Sequence, residues 1–290
     1  MDHRRLLSRA RSLRIVSSRL LEGLLAGGYR SVFKGPGIEF DEVREYVETD
    51  DSRSIDWNVT ARMGAPFTKT FREEREILLY LILDMSKSMF SGSAGLTKID
   101  LASEISALLV YAAIQNNDRV GGVFFSDQIE KWIPPFKGVS HGSRMVRDIG
   151  TFEARGTGSD LALGVRTAHE SMKRRGICVI VSDFRTGTGM KEATLLARKH
   201  DVIAIRIIDD NEFVFPVRGY VPLIDPESGR TLPVQGSSAR FRREFHDHWQ
   251  AEHAIWQQSY RRRGIATLTI GTDEDAADRL IRYFDSRRAR

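Results

Sequence analysis

Two acidic strand exits carry the chemistry available to this sequence. The apolar run Ile77–Leu83 ends in Asp84-Met85-Ser86-Lys87-Ser88, and a second run, Ile177–Val181, ends in Ser182-Asp183-Phe184. A third segment, Gly156-Thr157-Gly158-Ser159-Asp160, offers further hydroxyls just ahead of a predicted helix. In a loop leaving a strand, alternate residues can turn toward one point, so Asp84 supplies charge while Ser86 and Ser88 supply neutral oxygens. The set holds oxygen donors and no His or Cys, which is the preference of a hard divalent cation, Mg2+ or Mn2+. Few anionic ligands leave such an ion electrophilic and open to a carboxylate from outside, which favours capture of an acidic protein partner over catalysis. Two other readings use the same residues. In one, Ser86 and Ser88 merely cap a turn and Asp84 pairs with a base such as Lys98. In the other, the cluster serves a metal-dependent hydrolase or phosphatase. An aspartyl-phosphate mechanism, however, asks for a second acid two residues beyond the nucleophile, where Ser86 stands.

These exits need a scaffold of alternating strands and helices. Ile77–Leu83 is apolar on both faces, as a central strand of a parallel sheet must be. Further strands are predicted at Val120–Phe125, Ile177–Val181, Val202–Ile207 and Ile265–Ile270, with an edge strand at Ile129–Ile133. Helices are predicted at Lys98–Gln115, Ser143–Phe152, Asp160–Lys173, Lys191–His200, Arg240–Arg263 and Glu274–Tyr283. The class is α/β, a doubly wound and mostly parallel sheet. Such sheets gather ligands at the carboxyl ends of their strands, which is where both acidic exits lie. Residues 76–290 form this domain, with a Pro- and Gly-rich insertion at 209–235 that reads as a hairpin or loop excursion. Ahead of it, residues 1–75 combine an amphipathic helix near 4–26 with strands and loops of low regularity from Gly35 to Glu76, expected to pack on the main domain.

Composition sets the outer bounds. With 290 residues, 41% apolar and 29% charged, the chain can bury a sizeable core and is neither disordered nor low in complexity. The longest uncharged stretch, Ile105–Asn117, falls short of the ~20 residues a membrane span requires, as does the apolar run Ile77–Leu83. The basic N-terminus is followed by no apolar signal core, so a cytoplasmic location is expected. The single cysteine, Cys178, sits in an apolar run and reads as a core residue. The 44 basic and 39 acidic side chains leave a net charge of +5. Their basic clusters lack the interleaved aromatics of a nucleic-acid platform, so no nucleic-acid partner is expected.

Other apparent motifs fail on context. Gly138-Val139-Ser140-His141-Gly142 has the spacing of a nucleophile elbow but follows Pro134-Pro135 instead of a strand that runs straight into the serine. His246 and His248 would point about 200° apart on a helix, and with His253 they read as polar positions on an exposed face. Neither Gly92–Lys98 nor Thr186–Gly189 has the spacing of a phosphate loop.

Asp84-Met85-Ser86-Lys87-Ser88 together with the Ser182-Asp183 exit resembles the metal-ion-dependent adhesion site of a von Willebrand factor A domain. Gly35-Pro36-Gly37-Ile38-Glu39-Phe40, Arg44-Glu45-Tyr46, Asp50-Asp51, Arg53, Ile55-Asp56-Trp57, Ala61-Arg62 and Phe71–Glu76 resemble a bacterial family of unknown function. That family is commonly encoded beside MoxR-type AAA ATPases, and the resemblance runs from about Tyr29 to the C-terminus. It implies a von Willebrand factor A-like fold and a role as substrate adaptor or assembly factor with a MoxR-type AAA ATPase and its client. It also implies metal ligation by Asp84, Ser86, Ser88 and Asp183, with the adhesion-site threonine replaced by Ser159 or, at shifted spacing, supplied by Thr157. The signature residues Arg53, Asp56 and Arg62, with the run Arg72–Glu76, are expected to form a structural ion-pair network.

Overall fold

The computed structural model describes residues 38–47, 50–73, 77–92, 96–209, 212–213, 215, 219–224 and 229–288. They fall into two units, one within Tyr29–Glu76 and the other within Ile77–Arg290. The helix expected near residues 4–26 lies outside the described residues.

The smaller unit is more regular than its sequence implies. Strand β1 (Ile38–Glu45) pairs antiparallel with β2 (Phe67–Glu73), with a register shift between Phe40 and Glu42. Between them stands a short helix, α1 (Trp57–Met63), which the sequence reading missed. Its signals are present in the caps: the Asp56 carboxylate accepts from the backbone N–H of Asn58 and Val59, and Gly64 ends the helix at φ +72°. Seven residues are too few for periodicity to show a helix. Only part of the expected ion-pair network falls within the described residues. Asp56 pairs with Lys69 at 3.0 Å and Arg44 with Asp50 at 2.6 Å, while the side chains of Arg72–Glu76 lie outside the described residues.

The larger unit is built on a six-stranded sheet. In chain order its strands are β3 (Leu78–Asp84), β4 (Arg119–Phe125), β5 (Ile129–Phe136), β6 (Ile177–Ser182), β7 (Asp201–Ile208) and β10 (Ala266–Gly271). Their order across the sheet is β10-β7-β6-β3-β4-β5, all parallel except the antiparallel edge β5. Every residue of β3 and β6 is buried, because helices cover both faces. Cys178 lies on β6 between Tyr80 of β3 and Val202 of β7, and is fully buried. The helices are α2 (Lys98–Gln115), α3 (Val139–Thr151), α4 (Leu161–Ser171), α5 (Met190–Ala197), α6 (Ala239–Arg261) and α7 (Ala276–Arg288). None of the described helices is long and apolar enough to cross a membrane.

Three details depart from expectation. Strand β5 runs through Pro134 and Pro135 to Phe136, since an outer strand can spare the N–H groups that proline lacks. Helix α3 starts at Val139, which puts Ser140 in its first turn and removes any elbow-like serine. Along α6, His248 is exposed, but His246 and His253 are half-buried: His246 Nδ1 lies 2.9 Å from the Phe213 carbonyl, and His253 stacks on Trp256. The 209–235 insertion contains a β-hairpin, β8 (Tyr220–Ile224) with β9 (Thr231–Gln235).

The chain enters this sheet near its middle. From β3 it moves outward to β4 and β5, then crosses back to β6 and proceeds the other way to β7 and β10. The direction reverses between β3 and β6, so their carboxyl ends flank the crevice where an open α/β sheet receives its ligand.

Candidate metal centre

Asp84 is the last residue of β3, and its carboxylate is fully buried at that crevice. Oδ1 accepts the Ser86 backbone N–H at 2.9 Å. Oδ2 accepts the Ser182 hydroxyl at 2.6 Å and the Ser159 hydroxyl at 3.0 Å. Ser86 stands just ahead of a short 3-10 turn, Lys87–Phe90, without capping it through its side chain, and the Ser86 and Ser88 hydroxyls lie 3.2 Å from each other. Ser86 and Ser88 are both buried.

The Ser159 loop is held in place from two sides. Lys87 N–H donates to the Thr157 carbonyl at 3.3 Å, tying it to the Asp84 loop. On the other side Glu130 of β5 accepts from the backbone N–H of Arg155 and Gly156, and Asp160 N–H donates to the Ser126 carbonyl. Thr157 is exposed and engages this loop through its carbonyl, whereas the Ser159 hydroxyl reaches Asp84. Asp160 then caps α4.

Asp183 follows β6 and is equally buried. The chain turns sharply after it: Phe184 adopts φ +52°, a left-handed conformation that costs a non-glycine residue of order 1–3 kcal/mol. Two contacts hold it. The Phe184 N–H donates to Ser182 Oγ at 2.9 Å, and its ring packs against Trp256 and Tyr260.

The cations of the site are unevenly shared. Lys98 Nζ lies 2.5 Å from Asp183 Oδ2 and 3.0 Å from Glu212 Oε1, and Arg185 reaches the same two carboxylates. The pairing of Lys98 with Asp84, raised by the sequence, is not formed; the ammonium serves Asp183 instead. Among the described residues Asp84 has no ion-pair partner. Burial, and then the neighbouring Asp183 charge, push the Asp84 carboxyl well up, against the pull of its Ser182 and Ser86 hydrogen bonds. For Asp183, burial acts upward too, but Lys98 and Arg185 outweigh it and hold the carboxyl low.

The oxygen set suits a hard cation. Ligands about 2.05 Å from an octahedral Mg2+ stand about 2.9 Å apart along each edge. The Ser159–Asp84 and Ser86–Ser88 oxygen pairs lie 3.0 and 3.2 Å apart, close to that spacing. No three His, Cys, Asp or Glu side chains converge on a metal position among the described residues, so such a centre would depend on hydroxyls. Of the expected residues, Asp84, Ser86, Ser88, Ser159 and Asp183 come together, and Thr157 does not bring its hydroxyl. Sequence reasoning missed Ser182 as a carboxylate partner, Lys98 as the Asp183 counterion, and Glu212.

Comparison with known proteins gives the same architecture. A family model described as "Protein of unknown function DUF58" matches residues 42–255. The uncharacterized protein Mb1516 of Mycobacterium bovis is 31% identical over 99% of this chain and 92% of its own length. The uncharacterized protein Rv1480 of Mycobacterium tuberculosis matches equally, at 31% over 99% and 92%. Among solved structures, an aerotolerance-related membrane protein from Bacteroides fragilis superposes with a TM-score of 0.50 at 13% identity, covering 73% of this chain and 98% of that one. The fold class is the expected one, a mostly parallel, doubly wound α/β sheet. With the family model covering most of its length and full-length mycobacterial relatives beside it, the chain belongs to the DUF58 family of proteins of unknown function.

Proposed function

We propose that this chain is a metal-dependent protein-binding adaptor. Asp84, Ser86, Ser88 and Ser159 would hold Mg2+ or Mn2+, with Asp183 alongside. When bound, the ion supplies a positive centre that grips an acidic side chain of a protein partner. The observation that carries this reading is the isolation of Asp84: a buried carboxylate with hydroxyl and amide donors but no counterion among the described residues is costly to keep ionised unless a cation joins it. The protein's own groups prepare the place. Ser182 fixes Asp84 Oδ2, the Ser86 backbone fixes Oδ1, and the Glu130-anchored loop presents Ser159, the half-buried member of the cluster. Following the family resemblance, the partner is a MoxR-type AAA ATPase with its client, in cytoplasmic protein assembly or maturation.

The test is capture of partners from a lysate on the immobilised full chain in Mg2+, with elution by chelator and identification by mass spectrometry. The control is an Asp84→Ala, Ser86→Ala double variant. An AAA ATPase or its client should elute with chelator from the wild type and be absent from the variant. Mg2+ at one hundred times its dissociation constant should also stabilise the wild type by about 2.7 kcal/mol, an increment that chelation removes. Retention and stability both indifferent to metal would overturn the reading. Hydrolysis of a generic phosphoester lost in Asp84→Asn would replace it with an enzyme.

A further inference from the structure

The strand-exit cluster already contains a cation of its own. Lys98, the first residue of α2, is fully buried, and its ammonium bridges Asp183 and Glu212. Arg185 doubles both contacts, with Nε 3.5 Å from Asp183 Oδ2 and Nη2 3.2 Å from Glu212 Oε1. Asp183 is therefore a carboxylate whose charge is spent, while Asp84 on the adjacent strand has its charge unspent. A divalent ion entering beside Asp84 would meet an ammonium that cannot withdraw into water. Like charges in so poorly polarisable a setting repel strongly. Glu212, carried just past β7, leaves Oε2 buried and without a hydrogen-bond partner, so the network is not saturated.

On the metal reading above, we propose that Lys98 makes this a conditional metal site: its ammonium holds metal affinity down until an incoming carboxylate supplies the missing negative charge. Metal and acidic partner then bind as a linked pair, each raising the affinity of the other by the same factor. A centre whose carboxylates were all unpaired would load with metal alone and lack this dependence. Here the helix that follows the Asp84 loop carries the competing charge, so the restraint is built into the framework.

The test is titration of Mn2+ alone on the full chain, read by calorimetry and by the paramagnetic resonance of free Mn2+, for the wild type and Lys98→Met. Methionine keeps an unbranched stem in the buried slot and removes the charge. Lys98→Met should bind Mn2+ at least tenfold more tightly than the wild type. Acetate, standing for the partner's side chain, should tighten Mn2+ binding in the wild type and do so less in the variant. Equal Mn2+ affinities, or an equal response to acetate, would overturn the proposal and leave the metal site standing. No binding by either folded protein would overturn the metal reading itself. Because Lys98→Met leaves Asp183 and Glu212 to Arg185 alone, a second comparison sets Lys98→Met, Glu212→Gln against Glu212→Gln. The double variant loses one charge of each sign, and the same tenfold step is expected.

Discussion

Removing the Ser182 hydroxyl would strike the site and its backbone at once. Its Oγ donates to Asp84 Oδ2 at 2.6 Å and accepts the Phe184 N–H at 2.9 Å, in a position 2% exposed. A hydrogen bond to a charged group contributes about 1.5–3 kcal/mol, and a buried N–H left without an acceptor costs about 1–3 kcal/mol. Alanine at 182 supplies neither a donor to the carboxylate nor an acceptor for the strained residue at 184. Ser182→Ala should therefore lose about 3–5 kcal/mol of unfolding free energy, measured by urea denaturation with the slope unchanged. The Ser182 bond also lowers the Asp84 pKa, so its loss lets burial and the Asp183 charge drive that carboxyl further up. A double-mutant cycle with Asp84→Asn isolates the shared bond, with an expected coupling of about 1.5–3 kcal/mol. A loss below about 1 kcal/mol, or a coupling of zero, would refute the claim that Ser182 holds the buried carboxylate.

Two further outcomes follow from the geometry. Ser159→Ala should weaken Mg2+-dependent stabilisation by about tenfold in affinity, whereas Thr157→Ala should leave it unchanged; the reverse pattern in thermal shifts would reassign the hydroxyl. His200 is buried with both ring nitrogens lacking hydrogen-bond partners, and burial, then the charges of His169, Lys199 and Arg175, push it from 6.5 down to about 4. The folded imidazole stays neutral while the unfolded one takes up a proton, so stability is fully present above the unfolded value and falls as pH drops toward 4. The loss amounts to about 3 kcal/mol at most, and denaturation of His200→Leu across pH 7 to 4 should lack it; parallel curves for the two proteins would sink the assignment.

The sequence shows the scaffold and half of the site, for identifiable reasons. β3 and β6 are legible because complete burial leaves continuous apolar runs, and the exits of those runs locate Asp84 and Asp183 directly. Ser86 and Ser88 follow from local spacing, and Ser159 from its place before a capped helix. What is not legible is which group neutralises which. Ser182 stands 98 residues from Asp84, Lys98 stands 85 from Asp183, and Glu212 stands 114 from Lys98. No periodicity or motif links residues so far apart; only the crossover from β5 back to β6 brings them together. Lys98 is visible as a base near the Asp84 loop, but from sequence alone its partner is ambiguous between the two carboxylates. α1 escapes notice for the opposite reason: it is local but too short for its caps to stand out among turn residues.

The lone cysteine gives the sheet a built-in gauge. Cys178 is buried between β3 and β7, and burial pushes its thiol far up, so the reactive thiolate is suppressed in the folded protein. A thiol reagent can modify it only when the middle of the sheet opens. The rate of labelling therefore reads the free energy of that opening at one known position, with no engineered probe. Cys178 shares its strand with Ser182, so the same clock times how often the wall that presents Ser182 and Asp183 comes apart. An ion that ties β3 to β6 would slow it, which makes labelling kinetics a measure of occupancy that needs neither a partner nor a turnover assay.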